Sequence, residues 1–172
     1  LVKYVAPASR ENSNIGSEEY LFWKHLSNAG LIAGNYIGVA DDATTLSLTV
    51  RPSPLGKISG SVWYMNNWKE QSSAAWAFNG VYEHTFEYGA FTPSNSHPTR
   101  GIVTTSEAYA IDKKFDDGKP GTGTVRVRLN SPVAYNKCTL KSDSSGPGVF
   151  GDTSTAIYNI SQTGNMCEMF FP

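Results

Sequence analysis

No run of about 20 consecutive apolar residues occurs in this 172-residue chain, so nothing in it reads as a membrane-spanning helix. No signal peptide opens it, and it begins Leu1-Val2-Lys3-Tyr4-Val5 without an initiator methionine. It is read as a mature or truncated fragment whose beginning lies upstream. Charge of either sign is scarce. Fourteen Lys and Arg against fifteen Asp and Glu leave a net −1, which removes nucleic acid and anionic membrane surfaces as expected partners. Cysteine is limited to two residues, too few for a zinc site unaided, and His25, His84 and His97 show no ligand spacing with them or with each other. No Gly-x-Ser-x-Gly elbow is present, and no cysteine stands near a histidine in a nucleophile signature. An enzyme is therefore not expected.

What is present suits one ordered domain. The chain is long enough for a sizeable core, and 40% of its residues are apolar. Sixteen Gly and nine Pro imply many turns and a β-rich body. For Cys138 and Cys167 the choice is between two buried free thiols and a disulfide. The disulfide is preferred, and it implies an oxidising compartment.

Residues 4–16 read as an extended lead-in. Ser17 is a plausible N-cap, with Glu18 and Glu19 in the first helical turn, Phe22, Leu26 and Ala29 at helical spacing, and Gly30 as the left-handed stop. Leu46, Leu48 and Val50 alternate with Thr45, Ser47 and Thr49 as in a half-buried strand. Further strands are expected at 58–65, 76–82 and 84–88, and a Pro-rich loop at 92–100. Thr104-Thr105-Ser106-Glu107 fits a capping box. It opens a second helix, Thr105–Phe115, with Ala108, Ile111 and Phe115 inward and Asp112, Lys113 and Lys114 toward solvent. Gly118 and Pro120 end it. Val125, Val127 and Leu129 then alternate inward, with Arg126 and Arg128 outward. A Ser/Gly-rich tract at 142–151 and a strand at 156–160 fill the stretch between the cysteines.

Three acidic groupings, Asp41-Asp42, Asp116-Asp117 and Glu83 with Glu87, could in principle supply an acid/base pair. Adjacent acids before glycine more often build turns, because Asp bonds its own backbone and Gly accepts positive φ. Asp112, Asp116 and Asp117 are also a candidate calcium set, although the spacing does not satisfy an EF-hand. Turn capping is the preferred role, and no cofactor is required. An aromatic band spans 62–91. Its members pack into the core or cover the sheet, while Trp63, Trp68, Trp76, Tyr82 and Tyr88 are candidates for contact with a neighbouring subunit or for stacking on sugar rings. Basic Lys113, Lys114, Arg126 and Arg128 near Asp116-Asp117 read as a solvated, salt-bridged surface. Asn159-Ile160-Ser161 is a formal glycosylation sequon.

Two segments carry a resemblance. One is 108–125, Ala-Tyr-Ala-Ile-Asp-Lys-Lys-Phe-Asp-Asp-Gly-Lys-Pro-Gly-Thr-Gly-Thr-Val. The other is 19–36, Glu-Tyr-Leu-Phe-Trp-Lys-His-Leu-Ser-Asn-Ala-Gly-Leu-Ile-Ala-Gly-Asn-Tyr. Together they resemble the globular domain of type IV pilin-like proteins, the prepilin-type subunits of pili and of type II secretion pseudopili. The resemblance implies an α+β, pilin-like fold, in which an N-terminal helix packs on an antiparallel β-sheet and the C-terminal region is closed by a disulfide. It implies that the hydrophobic helix with the processing site lies upstream of Leu1. It also implies a structural subunit that partners copies of itself or related subunits and is anchored in the inner membrane before assembly. Its place would be a surface filament or the periplasm. Some members hold calcium near their C-terminal loop. The alternative is a secreted carbohydrate-binding or adhesin module using the aromatic band.

Overall fold

Helix α1, Glu18–Asn28, is defined by how it stops. The Gly30 N–H donates to the Ser27 carbonyl and the Leu31 N–H to the Leu26 carbonyl, both at 2.9 Å. These two bonds form a Schellman motif, which needs a left-handed residue at Gly30, and its φ is +71°. Two acids in the first turn, Glu18 and Glu19, complement the helix dipole at the other end. The buried residues are Tyr20 and Trp23, not the expected stripe of Phe22, Leu26 and Ala29. The larger rings bury more apolar area, and they turn the helix so that Phe22 and Leu26 flank the contact while Ala29 is exposed.

The computed structural model describes residues 18–39, 52–71, 77–92, 95–128, 138–140 and 156–172. The lead-in at 4–16, the Ser17 cap, the strand at 46–50, Asp41-Asp42, Trp76, Leu129 and the tract at 142–151 lie outside these residues. Among the described residues the chain is mixed α and β with antiparallel sheets and one disulfide.

The main sheet is built on β4, His84–Thr92. Strand β1, Ser61–Asn67, pairs along one edge of it, from Ser61 opposite Ala90 to Asn67 opposite His84. On the other edge lies β11, Met169–Phe171, with Phe170 opposite Glu87, and beyond that β7, Arg126–Val127. The far end of β4 pairs with β5, Asn95–Arg100, across a register shift between Ala90 and Thr92. This corrects the loop expected at 92–100. Pro98 is tolerated because it stands on an edge strand and outside the paired positions.

Short ladders complete the body: β2, Glu70–Gln71, with β3, Gly80–Val81; β6, Val103–Thr104, with β10, Asn165–Cys167; and β8, Thr139–Leu140, with β9, Ile157–Tyr158. Helix α2, Thr105–Phe115, follows β6 directly behind the expected capping box. Thr104 Oγ1 accepts from the Glu107 N–H at 3.2 Å, and the Glu107 carboxylate accepts from the Thr104 N–H at 2.8 Å.

The orientation of α2 differs from expectation. Asp112 is 0% exposed and Phe115 is 69% exposed, so the inward face is Thr105, Ala108 and Asp112. A charged residue turns inward here because the interior offers it hydrogen-bond donors, as set out below. The largest core cluster joins Val127 and Met169 of the sheet to Val103, Ala108, Tyr158, Phe78 and the disulfide. A second holds Trp23, Tyr36 and Met65, and a third Ala77, Tyr82 and Phe170.

The Cys138–Cys167 bridge spans 29 positions of sequence with Cα atoms 5.2 Å apart. Cross-linking a loop of that length restricts the unfolded chain by about 3–4 kcal/mol. Urea unfolding with and without reductant is expected to differ by that amount. Equal midpoints would show that the bridge adds nothing to the native fold.

Candidate functional site

Asp112, Asp116 and Asp117 are brought together at the end of α2, with one carboxylate oxygen from each lying within 4.8 Å of the others. Each has a separate task. Asp112 Oδ2 accepts from the Tyr158 hydroxyl at 2.7 Å, and its Oδ1 from the Gly118 N–H at 2.9 Å. Asp116 closes the helix, its N–H donating to the Asp112 carbonyl at 2.6 Å. Its Oδ2 then accepts from the N–H groups of Thr124 and Val125. Asp117 takes the Lys119 N–H at 2.8 Å and the Thr122 hydroxyl. Three side chains thus satisfy backbone donors across 116–125 that no ladder reaches. Gly123 has φ +72°, and a Cβ there would collide with the Asp116 carboxylate.

Burial raises the Asp112 carboxyl above its ordinary range, and the nearby Asp117 and Asp116 add to this. The Tyr158 and Gly118 hydrogen bonds work against it. Burial likewise raises the Tyr158 hydroxyl, helped by its bond to Asp112. The same three acids are a partial donor set for a hard cation. Calcium takes six to eight oxygens, so backbone carbonyls or water would have to supply the rest, and the carboxylates are already engaged as acceptors. Their visible work is turn capping.

The aromatic band is divided among separate surroundings. Trp63 stacks on Tyr88 with ring centroids 4.6 Å apart, and Phe171 lies 5.8 Å from Trp63. Trp68 is half-buried and donates its indole N–H to Glu87. Tyr82 is 0% exposed, edge-on to Phe170 at 5.6 Å, with the Arg126 guanidinium 4.8 Å from its ring centroid. Buried in this way, it offers nothing to a neighbouring subunit. Trp63 instead lines an open groove of about 840 Å³ with Trp23, Tyr36, Leu55, Phe86 and Phe171. Helix α1 supplies Trp23, whose ring stands 5.9 Å from Phe86. Among the described residues no charged side chain lines the groove.

Other residues stand apart from the roles expected of them. Glu83 is exposed and Glu87 buried, so they form no acid pair. Arg128 does not point to solvent. It bridges Glu87 at 3.5 Å and Glu168 at 3.3 Å, both carboxylates being fully buried. Glu168 went unremarked in the sequence, although a lone acid inside Met-Cys-Glu-Met-Phe-Phe is a recognisable signal. Asn159 is buried, and its side chain accepts from the Ser161 hydroxyl at 2.7 Å, which withdraws the sequon from use in the folded chain.

Among the described residues no helix is long and apolar enough to cross a membrane. The chain matches no protein-family model, no curated protein and no solved structure.

Removing Asp112 leaves the buried Tyr158 hydroxyl and the Gly118 N–H unmet. Asp112→Ala is expected to cost about 2–4 kcal/mol, and Tyr158→Phe about 1–2 kcal/mol. Chemical unfolding of both variants checks the order. A neutral Asp112→Ala would remove the carboxylate as the organiser of this turn.

Proposed function

We propose that the chain is the globular domain of a structural subunit of a type IV pilus or pseudopilus-like filament. One observation carries the reading. The two segments that bear the family resemblance, 19–36 and 108–125, overlap the two helices found among the described residues, and the second ends in the acidic turn wired to the disulfide-closed region. Tyr158 of β9 reaches Asp112, and the Asn159 N–H donates to the Cys138 carbonyl at 2.9 Å, so turn and bridge form one unit. The pilin-like arrangement of helix on sheet is supported by contacts from α1. Tyr20 meets Tyr64 edge-on at 5.8 Å, and Phe22 and Trp23 each lie 5.9 Å from Phe86. A disulfide suits an oxidising compartment, which favours the periplasm or the cell surface.

In this reading the subunit does no chemistry. A hydrophobic helix upstream of Leu1 anchors it in the inner membrane and then packs in the filament interior. This domain supplies lateral contacts to copies of itself or related subunits and forms the outer surface.

The groove gives the rival, a secreted carbohydrate-binding module, a specific basis. Its rings are suited to stacking on sugars, but among the described residues its polar side-chain groups are few: Asn35, the Trp23 and Trp63 indoles and the Tyr36 hydroxyl. The last of these already donates to the Ala33 carbonyl at 3.0 Å. Sugar sites depend on convergent polar groups for orientation, so the filament reading is preferred.

Mass spectrometry of the native protein from sheared surface material and membranes tests this directly. A methylated N-terminal residue followed by about 20 apolar residues is expected upstream of Leu1. A mature chain starting near Leu1 after an ordinary signal peptide would overturn the filament reading and favour the groove as a ligand site.

A further inference from the structure

One face of the main sheet carries a row of rings. Phe171 of β11 stands directly opposite Phe86 of β4, and Tyr88, two positions further along β4, stands opposite Trp63 of β1. Partners across a ladder share a face, and so do residues two apart, so these four rings lie together. Trp63 is tilted 43° from Phe171, and Trp23 of α1 is tilted 49° from Phe86, so neither pair is stacked flat. With Tyr36 from the segment after α1, the rings of Trp23, Trp63, Phe86 and Phe171 line the groove of about 840 Å³. That volume is in the range of sites for small molecules.

The groove offers a ligand ring surface and little else. Among the described residues no charged side chain lines it. The Trp23 indole nitrogen is buried, so it gives the groove no donor. The carbonyls that line it are engaged: Ala33 accepts from the Tyr36 hydroxyl at 3.0 Å, Gly34 from the Ser27 hydroxyl, and Pro54 from the Trp63 N–H at 2.8 Å. Lys24, the cation next to Trp23 on α1, donates its ammonium to the Ile37 carbonyl at 3.4 Å. A primary ammonium or a sugar brings donors that need convergent acceptors, and an anion needs a donor or a cation. Ring faces, by contrast, carry the negative part of a quadrupole, and the Trp face attracts a cation most strongly. A cation without N–H groups uses such faces and asks for no hydrogen bond.

We propose that the groove binds a small solute bearing a trimethylammonium group, of the choline type. The positive charge lies against the Trp63 and Tyr36 rings, and the methyl groups meet Phe86, Phe171 and Leu55. Leu55 is 48% exposed, so apolar surface at the groove is open to solvent before a ligand arrives. Every residue invoked belongs to the described domain, so this site stands apart from the filament reading.

Titration of the oxidised full chain with choline, followed by tryptophan fluorescence and NMR, tests the site. Dimethylbutanol, in which carbon replaces the quaternary nitrogen, is the neutral isostere. Choline is expected to bind about five- to thirtyfold more tightly than the isostere, with resonances of Trp63 and Tyr36 shifting. Trp63→Leu keeps an apolar wall without the indole face and is expected to lose most of that preference while still taking up the isostere. Equal affinity for choline and the isostere would overturn the cation site, leaving a plain apolar groove. Absence of any response to choline would overturn it outright. Phosphatidylcholine vesicles separate two sources of the same group: co-sedimentation with vesicles and no response to free choline would point to a lipid headgroup and overturn the solute. The isostere comparison uses the wild-type chain, so it decides the matter even if Trp63→Leu fails to fold.

Discussion

Five consecutive residues, 167–171, hold the layers of this domain to one another. Cys167 takes the disulfide from Cys138, and Glu168 joins the buried ion cluster. Met169 enters the main core, Phe170 meets Tyr82, and Phe171 lies against Trp63. Because β11 sits between β4 and β7, it also supplies backbone partners to both neighbours. The sheet is therefore incomplete until a segment remote in sequence from β1 and β4 has docked. Such non-local pairing carries a large loop-closure cost before any contact repays it, and it slows folding. The disulfide reduces that cost, since it fixes residue 167 relative to β8 and leaves β11 a short distance to travel.

The interior of this sheet is unusual in using charge where an apolar layer would have packed. Replacing a buried ion cluster by hydrophobic groups of the same shape is often neutral or stabilising, so Glu87, Glu168 and Arg128 are weak contributors to net stability. Their consequence is in register. A shift of β11 by one residue along β4 would carry Glu168 and Phe170 to the opposite face, parting Arg128 from Glu168. The contacts of Arg128 with two carboxylates thus discriminate against neighbouring registers for a strand only three residues long. Glycine at position 89 is part of the same arrangement, because it allows Pro98 and Glu168 to approach the backbone of β4.

Much of the local structure was legible in the sequence, for reasons specific to each element. Helix α2 and its capping box depend on contacts three residues apart, and both its bounds and its cap are as the residues dictate. The left-handed stop at Gly30 is equally local. The cysteine pairing was legible by elimination. What sequence periodicity did not reveal was which polar residues turn inward. Asp112 reads as solvent-facing until Tyr158, forty-six positions away, is known to donate to it. Arg128 reads as the outer half of an alternating strand until two buried carboxylates are placed beside it. Both errors have one cause: hydropathy patterns count burial by residue type, whereas a buried charge is admitted by partners that only the tertiary fold supplies. Strand β5 was missed because the proline that disfavours a central strand is acceptable on an edge.

The backbone donors of the acidic turn are met within the protein. Residues 116–125 make few ladder bonds, and an ordinary surface loop of that kind would leave its backbone donors to water. Here Asp112, Asp116 and Asp117 take the N–H groups of Gly118, Lys119, Thr124 and Val125, and the Val127 N–H donates to the Pro120 carbonyl at 3.0 Å. The loop is therefore specified by its own side chains, and Tyr158 ties it to the region that the disulfide closes. In the proposed filament such a corner would present one surface in every copy, since repeated lateral contacts lose affinity whenever one of the two surfaces has to be ordered on contact.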